Sequence, residues 1–170
     1  MKKRYLQQNV YQALLERLHF IFHEFDVVYV SFSGGKDSGL LLYILLDFRD
    51  KFYPSTSIGV FHQDFEAQYR ATTEYVEETF RMLEKRPGVE LYWLCLPMAT
   101  RTALSSFEMY WYPWDDKKET LWVRPMPEYD YVINLKNNPV TTYHYKMHQE
   151  DLAKQFGRWY RSVHDNKKTI

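Results

Sequence analysis

The stretch VYVSFSGGKDSGLLLYILL, residues 28–46, decides the fold that this sequence predicts. It begins with β-branched and aromatic residues, is interrupted by Gly34 and Gly35, and continues as an apolar run of helical length. A strand, a glycine turn and a helix in this order are typical of a parallel α/β sheet. We expect Asp37 or Ser38 to cap the helix. Because the helix has no polar face, we expect it to lie deep between the sheet and its neighbours.

The segments on both sides of this stretch continue the alternation of helices and strands. Strands are predicted over residues 27–32, 57–62 and 89–97 from short β-branched runs. Helices are predicted over residues 8–25, 66–86 and 143–164 from apolar residues at helical spacing. This order predicts a doubly wound, mostly parallel sheet flanked by helices, within a single domain that covers residues 1–170.

An aromatic-rich insert, residues 105–131, follows the third predicted strand. Asp115 to Lys118 are expected to form a turn between two extended arms. The aromatic cluster of the insert either stacks on a nucleobase or packs a β-arm onto the core, and we favour packing. Its members are Tyr110, Trp111, Tyr112, Trp114 and Trp122.

Composition limits the classes of function that remain. The 170 residues are 45% apolar, and 22 basic residues balance 22 acidic ones, so nothing in the charge favours binding to nucleic acid. Cys95 is the single cysteine, so neither a disulfide, a thiolate zinc site nor an iron–sulfur cluster is predicted, and we expect a small buried hydrophobe there. The opening MKKRYLQQNV lacks the apolar core of a signal peptide, and no run of 18 apolar residues occurs. We therefore expect a cytoplasmic protein without a membrane contact.

The turn between the first strand and its helix has the chemistry of an anion site. It does not match the Walker loop, because Asp37 follows Lys36 and Val30 takes the place of the first glycine. Two adjacent glycines nevertheless allow the backbone to approach an oxyanion, and the helix that follows adds the positive end of its dipole. Asp37 would repel a bare phosphate, so it either caps the helix or holds a magnesium ion that is bound to the phosphates.

Three segments resemble a known superfamily. SGGKDS, residues 33–38, resembles the pyrophosphate loop of the PP-loop ATP pyrophosphatase (adenine nucleotide alpha-hydrolase) superfamily. FHQDFEAQYRATTEYVEE, residues 61–78, resembles the second-strand segment of PAPS reductase-like proteins. SSFEMYWYPWDDKKETLWVRPMP, residues 105–127, resembles the aromatic insert of a subgroup of unassigned substrate that occurs beside ParB-like partners.

The resemblance implies that ATP and Mg²⁺ are the ligands and that the bond between the α- and β-phosphates is cleaved to adenylate an unknown acceptor. It implies catalytic roles for Lys36, Asp37 and Asp64, with Asp37 and Asp64 holding Mg²⁺. The nucleotide contacts that it implies are Ser31, Ser33, Gly34, Gly35, Lys36, Asp37, Ser38, Arg101 and Arg124. PAPS reductases attack with a cysteine in a C-terminal tail, and Cys95 does not match that position, so reduction of PAPS is not expected.

Several of these positions also have a simpler interpretation. Asp64 follows the second strand, at the edge where α/β proteins bind ligands, but it is equally a candidate helix N-cap. Arg101 and Arg124 suit an anion because guanidinium binds such groups bidentately, yet each also suits a surface ion pair. Gln63 and Glu66 are weaker candidates, and His62 is either a ribose contact or a buried, hydrogen-bonded side chain.

The sequence KKTI, residues 167–170, stands where the resemblance places the start of a further strand. The chain is therefore either C-terminally truncated or naturally short, and we expect an unpaired sheet edge that suits a partner or a dimer mate. Two alternatives to an enzyme remain at this point. One is a nucleotide-sensing regulatory module that binds without turnover, and the other is a sulfur-transfer component, which the neutral charge and the lone cysteine disfavour.

Overall fold

A computed structural model describes residues 7–170, and the first basic residues of the chain lie outside this range. The helices are α1 (Val10–Glu24), α2 (Lys36–Phe52), α3 (Arg70–Leu83) and α4 (Gln149–Val163). The strands are β1 (Val28–Ser31), β2 (Ile58–Gln63), β3 (Val89–Leu94), β4 (Met98–Arg101), β5 (Tyr110–Trp111), β6 (Val132–Ile133) and β7 (Met147–His148). A short 3-10 helix spans Asp116–Leu121. No helix in residues 7–170 is long and apolar enough to cross a membrane.

The main sheet has four parallel strands in the order β1-β2-β3-β6. The predicted α/β fold with a parallel sheet is thus confirmed, and the three predicted strands are present within two or three residues of their expected bounds. Since all four strands are parallel, their carboxyl ends meet at one edge of the sheet, which we call the carboxyl edge. A second sheet, in the order β5-β4-β7, lies in the second half of the chain.

Residues 168–170 lie beside β1, on the side away from β2. Thr169 pairs in parallel with Val27. The Tyr29 amide donates to the Ile170 carbonyl at 2.8 Å, and the Ile170 amide donates to the Val27 carbonyl at 3.0 Å. Along the first half of β1 this edge of the sheet is therefore paired by the chain itself.

Helices cover both faces of the sheet because alternate strand residues bury apolar side chains on opposite sides. On one face α1, α2 and α3 pack against residues that include Val30, Val60 and Trp93. On the other face α4 packs Leu152, Phe156 and Tyr160 against β2 and β3, with Phe61 and Phe156 stacked at 4.1 Å. Helix α1 begins at Val10 because the Asn9 and Gln12 side chains form a reciprocal capping box.

Two predictions about α2 were wrong. The N-cap is Gly35, without a side-chain cap, and neither Asp37 nor Ser38 occupies that position. The helix is also not buried on all sides, since Leu40 and Leu41 are exposed. A helix on the outside of a sheet has only one face toward the core, so apolar residues on its other face remain in solvent.

The aromatic insert differs from the prediction as well. Residues 116–121 form the 3-10 helix, so the expected turn is replaced by a helical segment and only one short strand, β5, precedes it. Trp114 is buried and Trp122 packs against it edge to face, as the packing interpretation of the aromatic cluster predicts. Helix α4 begins only at Gln149, because β7 occupies the two residues before it.

Candidate functional site

The loop that we call the anion loop, residues 33–38, lies at the carboxyl edge where β1 passes into α2. The Ser33 and Ser38 hydroxyls share a hydrogen bond of 2.9 Å, and the Ser38 hydroxyl lies 3.0 Å from the Gly35 carbonyl, to which it can donate. The Gly35 amide donates to the Ser33 hydroxyl at 3.3 Å. These contacts close the turn on itself, so its shape is set before a ligand arrives.

The first turn of α2 presents amides without an acceptor in the helix. The Gly39 amide makes the first intrahelical bond, to the Gly35 carbonyl at 2.9 Å. The amides of Lys36, Asp37 and Ser38 precede it and have no partner within the helix. Together with the helix dipole, three such donors form a site that favours an anion. The exposed Lys36 ammonium adds a full positive charge beside them.

Gly34 fixes the position of the anion loop against α3. Its φ of +78° belongs to the left-handed region. A Cβ on Gly34 would lie 2.7 Å from the Val76 Cγ2 and 3.0 Å from the Thr72 Cγ2. Beside this contact lies a depression of about 580 Å³ that includes Gln68, Tyr69 and Thr72. Thr72 therefore belongs both to the contact with Gly34 and to the lining of this depression, which no residue of the anion loop lines.

His62 forms a hydrogen bond with the residue that precedes the anion loop. It is buried, and its Nδ1 lies 2.7 Å from the Phe32 carbonyl, one residue before the loop. Because a carbonyl only accepts, Nδ1 carries the proton and the buried Nε2, which has no partner among residues 7–170, is bare. Burial lowers the pKa of His62, against the opposing charge of Asp64. The ring is therefore neutral at pH 7 and serves as a structural donor, as the simpler interpretation predicts.

We predict that His62 makes the protein less stable in mild acid. A histidine whose pKa falls on folding does not change the free energy of unfolding at pH values above its unfolded pKa of 6.5. Below that pH it lowers the free energy of unfolding, because the unfolded chain takes up the proton more readily than the folded chain does. The free energy of unfolding should therefore decrease between about pH 7.5 and about pH 5.5. Urea unfolding of the wild type and of His62→Asn at both pH values measures this. Equal decreases in the two proteins would contradict the prediction.

Asp64 forms a buried ion pair with Arg124. Its two carboxylate oxygens each lie 2.6 Å from Arg124 Nη2, and the Trp93 indole donates to Oδ2 at 2.6 Å. Asp64 is fully buried, and the guanidinium stacks over the Trp114 ring at 4.9 Å. The Asp64 carboxylate therefore has its charge and its hydrogen bonds satisfied within the protein, and it is not the N-cap of α3, which is Tyr69.

Glu66 attaches the aromatic insert to the end of β2. Its Oε2 accepts from the Trp114 amide at 2.9 Å, and its Oε1 accepts from the Val123 amide at 2.8 Å. Its backbone carbonyl accepts from Arg124 Nε, and its φ of 60° turns the chain sharply toward these partners. Glu66 is thus a structural clamp, a role that the sequence did not reveal because both partners lie far along the chain.

The predicted site residues therefore fall into separate places. Ser33 to Ser38 form the anion loop, and Ser31 is exposed at the end of β1 just before it. Asp64 and Arg124 are paired with each other. Arg101 is exposed at the end of β4, in the second sheet, without an ion pair in residues 7–170. Cys95 is buried, and burial raises the pKa of its thiol, so the prediction of a small hydrophobe holds.

Of the two carboxylates predicted to hold Mg²⁺, Asp37 and Asp64, only Asp37 fits that role. Among residues 7–170 no group of three or more His, Cys, Asp or Glu side chains lies close enough together to hold a metal. Asp64 does not fit, because Arg124 and Trp93 already occupy its oxygens. Asp37 is exposed in the first turn of α2 and does fit, since Mg²⁺ commonly takes one or two carboxylates together with phosphate oxygens.

Comparison with known proteins gives one informative match. A segment of 123 residues, 72% of this chain, is 36% identical to "Uncharacterized protein YbdN" of Escherichia coli (strain K12). The segment covers 29% of that protein, so the chain matches less than a third of its relative's length. No family model matches the chain. No solved structure matches it.

Proposed function

We propose that this chain is a PP-loop, PAPS reductase-like domain that binds ATP, with the β- and γ-phosphates in the anion loop. The observation that carries the proposal is the set of three amides without an intrahelical acceptor in the first turn of α2, which follows the carboxyl end of β1 and includes Lys36. Polyphosphate binds such donors because they supply hydrogen bonds and a positive dipole together. The resemblance of residues 33–38 and 61–78 to this superfamily supports adenine as the base.

The reaction that we propose is adenylation. A nucleophilic oxygen or nitrogen of the acceptor forms a bond to the α-phosphorus, the bond from that phosphorus to the bridging oxygen breaks, and pyrophosphate leaves. Lys36 and the amides of α2 neutralise the charge that accumulates on pyrophosphate, which is catalysis by position and electrostatics. Mg²⁺, when bound, adds further positive charge on the same oxygens, and Asp37 is the carboxylate that can hold it.

One observation favours a second candidate, a nucleotide sensor without turnover. The carboxylate predicted to act on the metal or the acceptor, Asp64, is neutralised by Arg124. A chain whose Asp64 carboxylate is held by Arg124 could still bind ATP through the anion loop, without that carboxylate taking part in a reaction. A ParB-like partner and a homodimer remain predictions of the resemblance for either candidate.

We predict that Lys36→Ala weakens ATP binding about tenfold or more, because a charged hydrogen bond to phosphate contributes on the order of 1.5–3 kcal/mol. Isothermal titration calorimetry with ATP and Mg²⁺ measures this. Lys85→Ala, which removes an exposed charge two residues after α3, is the matched control and should bind as the wild type does. Unchanged affinity of a folded Lys36→Ala protein would contradict the proposal.

A product assay separates the two candidates. Adenylation yields pyrophosphate together with AMP or an adenylylated acceptor, whereas a sensor binds ATP and a non-hydrolysable analogue equally and yields neither. ADP and orthophosphate as products would show that a different bond is cleaved.

A further inference from the structure

Phe32 is the last residue before the anion loop, and both of its backbone groups are held by β2. Its amide donates to the Phe61 carbonyl at 2.8 Å. Its carbonyl lies 2.7 Å from Nδ1 of His62, which is the donor of this bond. Phe32 is fully buried. These two bonds set the point at which the chain leaves the sheet and enters the anion loop.

The bond from His62 stands where a regular parallel ladder has a bond from a backbone amide. In such a ladder a residue that donates to residue i of the neighbouring strand accepts from residue i+2. Phe32 donates to Phe61, so its carbonyl would ordinarily accept from the Gln63 amide. Among residues 7–170 no backbone amide donates to that carbonyl. The direction of the Phe32 carbonyl therefore depends on the His62 side chain.

The peptide that His62 contacts is bonded on its other side to the first turn of α2. Its carbonyl belongs to Phe32 and its N–H to Ser33. The Ser33 amide donates to the Ser38 hydroxyl at 3.2 Å, and that hydroxyl lies 3.0 Å from the Gly35 carbonyl. Because the peptide is planar, a rotation that breaks the bond to His62 also moves the Ser33 amide away from Ser38. His62 is thus linked to the anion loop through one rigid peptide.

The donor at Nδ1 is the property that distinguishes histidine at this position. The ring packs edge to face against Trp93 at 5.1 Å and Phe80 at 6.1 Å, and both of these residues are fully buried. Its Nε2 is buried and has no partner among residues 7–170, which costs free energy. An apolar side chain would fill the same space without that cost. Packing alone therefore does not account for the imidazole.

We propose that His62 is the positioning residue of the anion loop. Its Nδ1–H holds the Phe32–Ser33 peptide in the orientation that keeps Ser33 bonded to Ser38, and the loop amides thereby keep the geometry in which they receive phosphate. His62 does not touch the ligand and acts only through this peptide. The choice of ATP as the ligand rests on the proposed function, whereas the link from His62 to the loop does not.

His62→Leu and His62→Asn test the donor. Neither replacement has a ring, but the asparagine amide can donate close to the position of Nδ1 and leucine cannot. We expect His62→Leu to weaken ATP binding about fivefold, the effect of one neutral hydrogen bond, and His62→Asn to recover most of the affinity. Phe156→Leu, which alters the core on the opposite face of the sheet, is the control and should bind as the wild type does. Isothermal titration calorimetry, at a temperature at which all four proteins are folded, measures this.

Spectra without nucleotide separate this inference from the proposed function. In ¹H–¹⁵N spectra the amide resonances of residues 33–38 should shift in His62→Leu, lie closer to the wild type in His62→Asn, and stay in place in Phe156→Leu. If the wild type fails to bind ATP, the proposed function is wrong, and these spectra still decide whether His62 orients the loop. Equal loop resonances in the leucine and asparagine variants would overturn the positioning role. Equal ATP affinities of those two variants, with a wild type that binds ATP, would overturn it as well.

Discussion

Gly34→Ala is expected to unfold at clearly lower urea concentration than the wild type and to lose the ATP binding that we propose for the anion loop. Alanine at φ +78° costs about 1–2 kcal/mol, and the new methyl group would meet Val76 at 2.7 Å. Val76 is fully buried, so it cannot move aside without further cost of about 1–3 kcal/mol. We therefore expect a total loss of about 3 kcal/mol in the free energy of unfolding, measured by urea denaturation.

The neighbouring glycine provides the control. Gly35 has a φ of −82°, which any residue adopts, and a Cβ there would lie 3.4 Å from the Ser33 hydroxyl, an ordinary contact. Gly35→Ala should therefore cost only about 1 kcal/mol, the usual effect of alanine in place of glycine at a helix N-cap, and remain clearly more stable than Gly34→Ala. If the two alanine variants were equally stable, the left-handed turn at Gly34 would not be a determinant of the fold.

Arg124→Ala is expected to destabilise the protein by about 3–5 kcal/mol, the cost of leaving one partner of a buried ion pair without the other. Asp64 is fully buried and keeps only the Trp93 indole and the Glu66 amide as strong donors once the guanidinium is removed. The same substitution also removes the bond to the Glu66 carbonyl and the stacking over Trp114. Urea unfolding measures the loss, which exceeds what an exposed ion pair would show.

A double-mutant cycle assigns this loss to the charge on Asp64. Asp64→Asn in the Arg124→Ala background removes the unpaired carboxylate, so the two substitutions together should cost less than the sum of the single effects. Arg101→Ala removes an exposed arginine without an ion pair and should change the free energy of unfolding little. A loss below about 1 kcal/mol for Arg124→Ala would show that water screens the pair.

The sequence correctly predicts the strands and turns whose patterns lie within a few neighbouring residues. The strands β1, β2 and β3 and the glycine turn are confirmed because their signals lie within a few neighbouring residues. The partner of Asp64 is Arg124, 60 positions away, and no local pattern indicates that pairing. For that reason the sequence offers a ligand or a helix cap for Asp64 and a ligand or a surface ion pair for Arg124, whereas the structure shows each as the other's counter-ion.

The same limit explains the errors in α2 and the insert. An all-apolar helix has the same pattern whether one face or every face is covered, so the exposure of Leu40 and Leu41 depends on which helices pack beside it. The turn predicted at Asp115 to Lys118 became a 3-10 helix, whose N-cap Asp115 also pairs with Lys146 from a distant segment. Such contacts outweigh the local preference of turn residues.

The pairing of residues 168–170 with β1 has a consequence for the order of assembly. Strand β1 leaves the ribosome before the other strands described here, yet its neighbour on one side follows about 140 positions later. Because the two segments lie so far apart in the chain, we expect this pairing to form late in folding. Before residues 168–170 are in place, one edge of β1 has no partner. The exposed edges of two unfinished chains can then pair with each other.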